Sequence, residues 1–484
     1  MSKMLRFVEQ QRQPPQKRAP EARKADFDEI DDGLQETLGN QASRCSQCGV
    51  PFCATGCPLG NHIPDWLCLT AEGDYKAAYA LSTQTSAMPE ICGRICPQDR
   101  LCEKACVIEQ SGHGTVTIGA VEKSIGDKAW DEGWVEPIVP ETERPESIGI
   151  VGAGPAGLAA ADRLRTLGYQ VVIYDRYDRA GGLLTYGIPG FKLEKPVVMR
   201  RIDRLTDAGV KIVPNTDIGG DVSFAELKSR HDAVLIATGV YKARALSLPA
   251  PAGSVVPALD YLTASNRKGF GDQVPLFDDG TLNAEGKRVV VIGGGDTAMD
   301  CVRTAIRQGA KSVDCLYRRD RANMPGSARE VQHAEEEGVS FRWLMSPKAI
   351  TQAAEGHTIR ALQMRLGPKD RSGRQQPEET GREENLQADM IIAALGFEPE
   401  DVVTAFGVPS LEVSRWGTLK TDPRTFATQE PGVIAAGDIV RGASLVVWAV
   451  HDGQKAAAGI HQFIQQGTST TSRTLIQHTH QEAV

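Results

Sequence analysis

Most of the cysteines lie in two short runs whose spacing suits metal binding: of 11 in total, nine fall between Cys45 and Cys106. The runs read Cys45-x2-Cys48-x4-Cys53-x3-Cys57-Pro and Cys92-x3-Cys96-Pro-x4-Cys102-x3-Cys106. Thiolates separated by two to four residues can surround a compact cluster, and a proline after the last ligand is typical of ferredoxin runs. The spacing therefore predicts two [4Fe–4S] clusters, which need about eight ligands.

Alternatives to this interpretation stay open at this point. Zinc also binds four thiolates through C-x2-C pairs, although the longer gaps and the following proline fit zinc poorly. One of the clusters could be purely structural, and spacing alone does not assign each cysteine to a cluster. Cys301 and Cys315 stand far from the runs and lack ligand spacing, so both are expected to be small buried apolar residues.

The first glycine-rich turn, IGIVGAGPAGLAAA, has the pattern of a dinucleotide-binding site. Gly152 permits the tight turn, Gly154 admits a pyrophosphate to the backbone amides, and Gly157 lets the next helix pack closely. The N-terminus of that helix faces the phosphates. The following strand ends at Asp175, 18 residues beyond Gly157, where an acid accepts hydrogen bonds from a ribose.

Further stretches identify the dinucleotide as FAD. VLIATG, residues 234–239, and GVIAAGDI, residues 432–439, resemble two signatures of two-dinucleotide-binding flavoproteins, in which the acid of the second, here Asp438, meets the ribityl chain. RAGGLLTYGIPGFKL, residues 179–193, resembles the loop that runs beside the flavin. The predicted FAD contacts are Gly152, Gly154, Pro155, Ala156, Gly157, Asp175, Gly182, Leu183, Thr238, Gly239, Gly437, Asp438, Leu445 and Val446.

A second glycine turn, VVVIGGGDTAMD, predicts a nicotinamide nucleotide site, and its next strand ends in Arg318-Arg319 rather than in an acid. An acid there repels a 2′-phosphate, whereas arginine binds it through charge and forked hydrogen bonds, so the pattern favours NADPH over NADH. The alternative is a solvated strand end. The predicted NADPH contacts are Gly293, Gly295, Asp296, Thr297, Ala298, Arg318, Arg319 and Gly396.

These sites need strand–turn–helix units to position them, and two such units begin about 140 residues apart. The predicted fold class is therefore α/β, with two doubly wound Rossmann-like domains preceded by a mostly helical iron–sulfur domain. In that domain, IPDWLCLTAEGDYKAAYALSTQT predicts helices separated by a turn at Gly73-Asp74. The expected boundaries are residues 1–145 for the iron–sulfur domain, 146–286 plus 427–470 for the FAD domain, 287–426 for the NADPH domain and 471–484 for a solvated tail.

Composition argues against several classes of partner. The 484 residues are 41% hydrophobic and 24% charged, as is typical of a globular protein. The net charge of −8 argues against nucleic acid or an anionic membrane as the main partner. No apolar run reaches the roughly 18 residues that a membrane span needs, and the N-terminus lacks the apolar core of a signal peptide. A cytoplasmic location, where thiols stay reduced, is expected.

The order of cysteine runs, flavin turn, NADPH turn and return to the flavin domain resembles the small-subunit family of bacterial NADPH-dependent glutamate synthases. The resemblance spans residues 44–461 and includes ICGRICPQDRLCEKAC, VGAGPAGLAAA, YGIPGFKLEK, GGGDTAMDC, YRRDRANMPG and AAGDIVRGASLVVWAV. The N-terminal half of dihydropyrimidine dehydrogenase has a similar design. The resemblance to it implies that Cys45, Cys48, Cys53 and Cys106 hold one cluster and Cys57, Cys96 and Cys102 the other. That relative completes the second cluster with a side-chain amide, where this chain has the hard carboxylate of Glu122, so Cys92 is the competing ligand.

The resemblance implies an electron-input subunit. NADPH donates hydride to FAD, electrons leave singly through the clusters, and a large glutamine-amidotransferase and FMN subunit makes L-glutamate from L-glutamine and 2-oxoglutarate. No side chain has to act as acid or base, because hydride transfer needs positioning.

Three rival functions stay open. The first is the same module serving another acceptor, such as a ferredoxin, a sulfur species or a pyrimidine-reducing partner. The second is a disulfide reductase, for which Cys301 and Cys315 are too far apart to form the required C-x-x-C. The third is a nucleotide-binding protein without turnover, which bleaching of a bound flavin by NADPH would exclude.

Overall fold

Short helices build the cysteine-bearing N-terminal domain. The structure is a computed structural model that describes residues 4–370, 373 and 375–481, with the backbone alone at residues 35 and 468–481. The helices are α1 (Pro20–Ala25), α2 (Leu38–Ala42), α3 (Phe52–Gly56), α4 (Ile63–Glu72), α5 (Tyr75–Thr83), α6 (Pro89–Ile95) and α7 (Ile118–Asp131). Gly73, at φ 91°, ends α4, and the Asp74 carboxylate caps α5 by accepting from the Ala77 amide at 3.1 Å. The predicted turn is confirmed.

The core of this domain brings the two cysteine runs together. Trp66 and Leu67 of α4 pack against Val121 and Ile125 of α7, since apolar residues at helical spacing cover one face of each helix. The cysteines in this core are Cys45, Cys102 and Cys106, with Cys53, Cys57 and Cys68 at its edge.

Strands and helices alternate after residue 146, as in two successive doubly wound units. The first unit contains β1 (Ser147–Val151), α8 (Pro155–Thr166), β2 (Gln170–Tyr174), α9 (Leu183–Tyr186), α10 (Lys195–Asp207), β3 (Lys211–Val213), α11 (Phe224–Arg230), β4 (Ala233–Ile236) and β5 (Lys242–Ala243). The second contains β6 (Val256–Pro257), α12 (Ala258–Gly269), α13 (Pro275–Asp278), β7 (Arg288–Ile292), α14 (Asp296–Arg307), β8 (Ser312–Tyr317), α15 (Ala328–Glu336), β9 (Ser340–Trp343), β10 (Met345–Gln352), β11 (His357–Lys369), β12 (Gln375–Ala388), β13 (Met390–Ala393) and β14 (Phe397–Glu398). The chain returns to the first unit through α16 (Val402–Phe406), β15 (Val433–Ala435), α17 (Asp438–Arg441) and α18 (Val446–Gln481).

The main sheets of the two units are parallel and have equivalent strand orders. These are β15-β4-β1-β2-β3 and β6-β13-β7-β8-β9. In each sheet the strand before the glycine turn, β1 or β7, is central and lies where the strand order reverses. The turn therefore opens on the crevice in which such folds bind ligands. The predicted fold class is confirmed.

The boundaries between the two units differ from the predicted ones. β6 pairs with Ile392 and Ala393 of β13, so the second unit begins near residue 256 and not at 287. It also ends earlier than residue 426, because Phe406 of α16 stacks on Phe224 of the first unit with ring centroids 5.0 Å apart. A two-residue strand and a five-residue helix have too little periodicity to be recognised in sequence.

Two features go beyond the sequence prediction. β10, β11 and β12 form an antiparallel sheet within the second unit. Its Ile350 and Ile359 pack against the parallel strands β7 and β8. The backbone of α18 is helical as far as Gln481, where the sequence predicts a solvated tail from residue 471, and residues 482–484 of that tail lie outside the described residues. None of the described helices is long and apolar enough to span a membrane.

Candidate active site

The first glycine turn has no room for side chains. Gly152 has a φ of 108°, and a Cβ on it would lie 2.4 Å from the carbonyl oxygen of Ala237. A Cβ on Gly157 would lie 2.0 Å from the Gly152 carbonyl oxygen, so α8 approaches β1 as closely as the motif requires. Gly154 is the N-cap of α8, whose unpaired first amides offer a phosphate site.

Asp175 is part of this turn. Its carboxylate is 7% exposed and accepts hydrogen bonds from the backbone amides of Ala153, at 2.6 Å, and Tyr177, at 2.8 Å. Burial raises the pKa of Asp175, and these two bonds oppose the rise. A carboxylate has further lone pairs, so the same acid can hold the turn and accept from a ribose hydroxyl.

The residues predicted for FAD surround one cavity beside the first glycine turn. Those in its wall are Gly152, Gly154, Pro155, Ala156, Asp175, Leu183, Thr238, Gly239, Asp438, Leu445 and Val446. Gly182 and Gly437 lie directly against this wall. A Cβ on Gly182 would lie 2.9 Å from Gly154 Cα, and a Cβ on Gly437 would lie 2.9 Å from Ala156 Cβ. The wall also contains residues without a spacing signal in the sequence, namely Ala237, Val240, Tyr241, Ser444 and Ala449.

The polar atoms of this cavity fit a flavin dinucleotide. Thr238 Oγ1 is buried and has no hydrogen-bond partner among the described residues, so a ligand group can satisfy it. Asp438 accepts from the Ser444 hydroxyl at 2.6 Å, and burial raises the pKa of this acid. Carboxylates in the wall suit ribose and ribityl hydroxyls, whereas Leu445 and Val446 suit an apolar ring.

The second glycine turn repeats the geometry of the first. Gly293 has a φ of 150°, and a Cβ on it would lie 2.3 Å from the Ala394 carbonyl oxygen. Gly295 is the N-cap of α14. The remaining predicted contacts lie at the same end of the sheet: Asp296, Thr297 and Ala298 in the first turn of α14, and Gly396 after β13. Asp296 Oδ1 accepts from the Ser327 amide at 2.9 Å, which draws the start of α15 toward the turn.

The two arginines predicted to bind the 2′-phosphate have different environments. Arg318 is exposed at the end of β8. Arg319 is 3% exposed, and its Nε donates to the Gln375 carbonyl at 3.0 Å, which ties β8 to β12. Arg318 is therefore the better placed of the two to meet a phosphate, and Arg319 supports the antiparallel sheet.

The cysteines of the two runs form two groups. Burial and the nearby Cys45, Cys106 and Cys48 raise the pKa of Cys53 to about 12. Crowded thiolates repel one another, and a bound cation compensates that repulsion. We call the set Cys45, Cys48, Cys53 and Cys106 the outer group.

The second set, the inner group, consists of Cys57, Cys92, Cys96 and Cys102. Burial, Glu122 and Cys92 raise the pKa of Cys57 to about 12, and burial, Glu122 and Cys57 are among the causes that raise the pKa of Cys102. The assignment of the two groups to two clusters stays a prediction.

Glu122 lies beside the inner group but is engaged elsewhere. Its Oε1 accepts from Asn61 Nδ2 at 2.9 Å, and burial together with Cys92 raises the pKa of Glu122 well above its usual range. Cys92 lies against Cys96, whose pKa it raises more than burial does. No group of three or more His, Cys, Asp or Glu among the described residues is arranged to hold a metal ion. A [4Fe–4S] cluster is bound by thiolates on separate irons. Its cysteines therefore need not converge on one point, as the ligands of a single metal ion do.

The inner group lies against the flavin cavity. Cys92 of α6 and Cys96 pack on Val447, and Leu445 borders the same contact. Leu445 and Val446 are also part of the cavity wall. One layer of side chains at the start of α18 therefore separates the cavity from the inner group.

Two members of the outer group, Cys48 and Cys53, are half-buried, whereas Cys45 and Cys106 are in the core of the domain. Cys45 Sγ accepts from the amide and the side chain of Gln47, both at 3.4 Å. Val50 and Phe52, on either side of Pro51 and next to Cys53, are 63% and 53% exposed. The outer group therefore borders exposed apolar side chains at Cys53.

Two protein-family models match the chain. Residues 23–134 match dihydropyrimidine dehydrogenase domain II, 4Fe-4S cluster, and residues 146–453 match pyridine nucleotide-disulphide oxidoreductase. The predicted order of an iron–sulfur domain before two dinucleotide-binding units is thereby confirmed.

Individual proteins agree with these models. The glutamate synthase (NADPH) small chain of Azospirillum brasilense is 60% identical over 95% of this chain and 96% of its own. The putative oxidoreductase AegA of Escherichia coli (strain K12) is 44% identical over 92% of this chain and 69% of its own. The structure of Mycobacterium tuberculosis FprA in complex with NADPH matches with a TM-score of 0.56 and 21% identity over 68% of this chain and 86% of its own, which is a likeness of fold. The chain thus belongs to the family of glutamate synthase (NADPH) small chains, and it is an NADPH-dependent oxidoreductase of the flavin and iron–sulfur type.

Proposed function

We propose that this chain is the electron-input subunit of a glutamate synthase. It oxidises NADPH by hydride transfer to FAD and passes electrons through two [4Fe–4S] clusters to a large glutamine-amidotransferase and FMN subunit. That subunit forms L-glutamate from L-glutamine and 2-oxoglutarate. A flavin accepts two electrons as hydride and a cluster carries one, so the flavin divides the pair. Family membership supports this function, and the small-chain name of the relative supports a large partner.

The contact between the inner group and the flavin cavity carries the proposal. Electron transfer needs its two centres close together, and Val447 is the side chain on which Cys92 and Cys96 pack. A disulfide reductase would need a redox pair at the flavin instead. Cys301 and Cys315 are fully buried in the core of the second unit, as expected for small apolar residues, and neither is in the wall of the flavin cavity.

The arrangement also gives the electrons a direction. The flavin cavity touches the inner group, whereas the outer group lies beside the exposed Val50 and Phe52. Electrons would then pass from the flavin to the inner cluster and from there to the outer one. The apolar surface at Val50 and Phe52 suits a protein partner, and we assign it to the large subunit.

The environments of the side chains favour one set of cluster ligands. The outer group would hold one cluster and the inner group the other. Cys92 is the better fourth ligand of the inner cluster, because it lies against Cys96 while Glu122 is bonded to Asn61. In this arrangement the protein binds and orients its cofactors, and no side chain needs to exchange a proton with substrate.

Anaerobic reconstitution with a candidate large subunit tests the proposal. Glutamate should form from glutamine, 2-oxoglutarate and NADPH only when both subunits are present. Cys48→Ser, in the outer group, should abolish glutamate formation while NADPH still reduces the flavin. Cys68→Ser is the matched control, because Cys68 is half-buried and outside both groups, and it should change neither readout. A flavin that NADPH fails to reduce would contradict the proposal.

A second candidate is the same module serving another acceptor, such as a ferredoxin, a sulfur species or a pyrimidine-reducing partner. The similarity to AegA favours it, since that protein has the name of a putative oxidoreductase and contains this module within a longer chain. Reduction of flavin and clusters by NADPH without glutamate formation would select this candidate. The large subunit would then be the wrong partner, and the electron-input role would stand.

A further inference from the structure

The loop of residues 179–193, which lines the flavin cavity, leaves some of its backbone carbonyl groups without a hydrogen-bond donor from within the loop. α9 is a single helical turn, so its last carbonyls have no partner within the helix. Leu183 is part of the cavity wall, and its carbonyl oxygen accepts from the amides of Gly187, at 2.9 Å, and Ile188, at 2.8 Å. The carbonyls of Leu184 and Ile188 take a donor from outside the loop.

Lys195 is that donor. Its Nζ donates to the Ile188 carbonyl and, at 3.1 Å, to the Leu184 carbonyl. Lys195 is also the first residue of α10, where a cation is unfavourable, whereas a cation is favourable at the end of α9. Lys192, in the same loop, pairs instead with Asp300 at 2.8 Å. The position of Lys195 therefore benefits the flavin loop and costs α10 stability.

We propose that Lys195 is a positioning residue for hydride transfer, because it fixes the loop that places Leu183 in the wall of the flavin cavity. Gly182, at the start of that loop, is also close to the glycine turn, since a Cβ on it would lie 2.9 Å from Gly154 Cα. A shift of the loop thus moves the wall at two places. Lys195 itself is not part of the wall. The proposal rests on a flavin occupying this cavity, as the proposed function requires.

The ammonium of Lys195 has charged neighbours on several elements. Asp300 of α14 acts on it electrostatically, and the space beside it is lined by Asp28, Glu194 and Lys268 of α12. Burial lowers the pKa of Lys195 to about 7. As the pH rises through this value the ammonium loses its charge, and a neutral amine forms weaker hydrogen bonds than a charged one. A lowered pKa nevertheless means that this buried position favours the neutral amine over the ammonium, so by linkage the contact of Lys195 with the loop should strengthen as the pH rises through about 7.

Replacing Lys195 by methionine removes the donor and keeps the length of the side chain. In Lys195→Met we expect the rate of flavin reduction by NADPH to fall about tenfold to a hundredfold, as displacements of about 1 Å can cause. The KM for NADPH should not change, because that nucleotide binds the other unit. Hydrogen exchange of the Gly187 and Ile188 amides in the flavin-loaded protein should become at least about tenfold faster, which requires no turnover. Lys211→Met is the matched control and should alter neither readout, since Lys211 is exposed on β3 of the same unit.

Lys195→Arg keeps a permanent cation at this position. It should therefore lack the gain in protection of the two amides that the wild type shows as the pH rises through about 7. Equal rates and equal exchange in the wild type and Lys195→Met would overturn the proposal. If Lys195→Met does not fold, identical pH profiles for the wild type and Lys195→Arg would overturn it. A wild-type protein that binds no flavin would contradict the proposed function itself, so the two failures are distinguishable.

Discussion

The two glycine turns share a backbone but differ at their third position. A Cβ on the first glycine of either turn would meet a carbonyl oxygen, that of Ala237 at 2.4 Å for Gly152 and that of Ala394 at 2.3 Å for Gly293. At the third position Gly157 has no space for a Cβ, whereas Ala298 of the second turn is a fully buried methyl group. The motif thus describes the shared turn, and the packing behind it decides how close the helix lies.

The helices that follow the turns are also held by different interactions. α8 packs its alanines against Ala456 and Ala457 of α18 in an apolar core. α14 carries Arg303 and Arg307, which donate to Glu337 at 2.8 and 2.7 Å in a buried ion cluster. The same nucleotide-binding motif is therefore stabilised by apolar contact in the flavin unit and partly by charge in the nicotinamide unit. The ion cluster of the second arrangement depends on pH.

Gly152→Ala should have the largest effect on the flavin turn. The new Cβ must displace the Ala237 carbonyl, and alanine at a φ of 108° costs about 1–3 kcal/mol in backbone strain. We expect the purified protein to lack flavin, as measured by its visible absorbance. Gly269→Ala is the control, because nothing lies within 4 Å of a Cβ there. A flavin-loaded Gly152→Ala protein would contradict the assignment of this turn.

Gly293→Ala should distinguish the role of the second turn from that of the first. It makes the same collision, now with the Ala394 carbonyl at 2.3 Å, in the unit that binds NADPH. We expect a full complement of flavin but a fall of at least about a hundredfold in its reduction by NADPH, since strain and collision add. Stopped-flow reduction measures this, and a chemical reductant should still bleach the flavin. Loss of flavin from this variant as well would show that the two sites are not independent.

The glycine turns could be predicted because their determinants are local. The strand, the glycines and Asp175 all lie within about 30 residues, the length of one βαβ unit. Division of the cysteines into inner and outer groups was not available from spacing, because it depends on the packing of α4, α6 and α7. It followed only from the resemblance to dihydropyrimidine dehydrogenase and stays a prediction.

The remaining features depend on contacts that no local pattern records. Arg318 and Arg319 are equivalent in sequence, but Arg319 meets the Gln375 carbonyl of a strand 56 residues later. Lys195 binds carbonyl groups, which any residue possesses, so nothing in the sequence marks its partners. β6 has two residues and is recognisable only once β13 lies beside it.

Acid should weaken the nicotinamide unit before the flavin unit. Burial raises the pKa of Glu337, but hydrogen bonds from Arg303 and Arg307 outweigh it and lower the pKa from 4.5 to about 2. Because the folded pKa is below the unfolded one, Glu337 stabilises the fold above pH 4.5. About 3 kcal/mol of that stability is lost as the pH falls toward 2. Hydrogen exchange of the α14 amides as a function of pH measures this in the second unit.

Glu337→Gln should remove this pH dependence, while Glu285→Gln, an exposed acid of the same unit, should keep it. Release of flavin at a higher pH than the loss of amide protection in α14 would contradict the comparison between the two units.

Arg318→Ala should have the smallest effect and tests why the second turn ends without an acid. Arg318 is exposed, so its bond to a 2′-phosphate lies at the lower end of the range for charged hydrogen bonds, about 1.5 kcal/mol. We therefore expect the KM for NADPH to rise about tenfold, and the KM for NADH to stay the same because NADH has no 2′-phosphate. Arg321→Ala is the matched control, since Arg321 pairs with Glu335 at 2.6 Å. Equal increases of the KM for NADPH and for NADH would show that Arg318 supports the fold of β8 and does not bind the 2′-phosphate. A larger increase in Arg321→Ala than in Arg318→Ala would place the phosphate beyond the strand end, against Arg321.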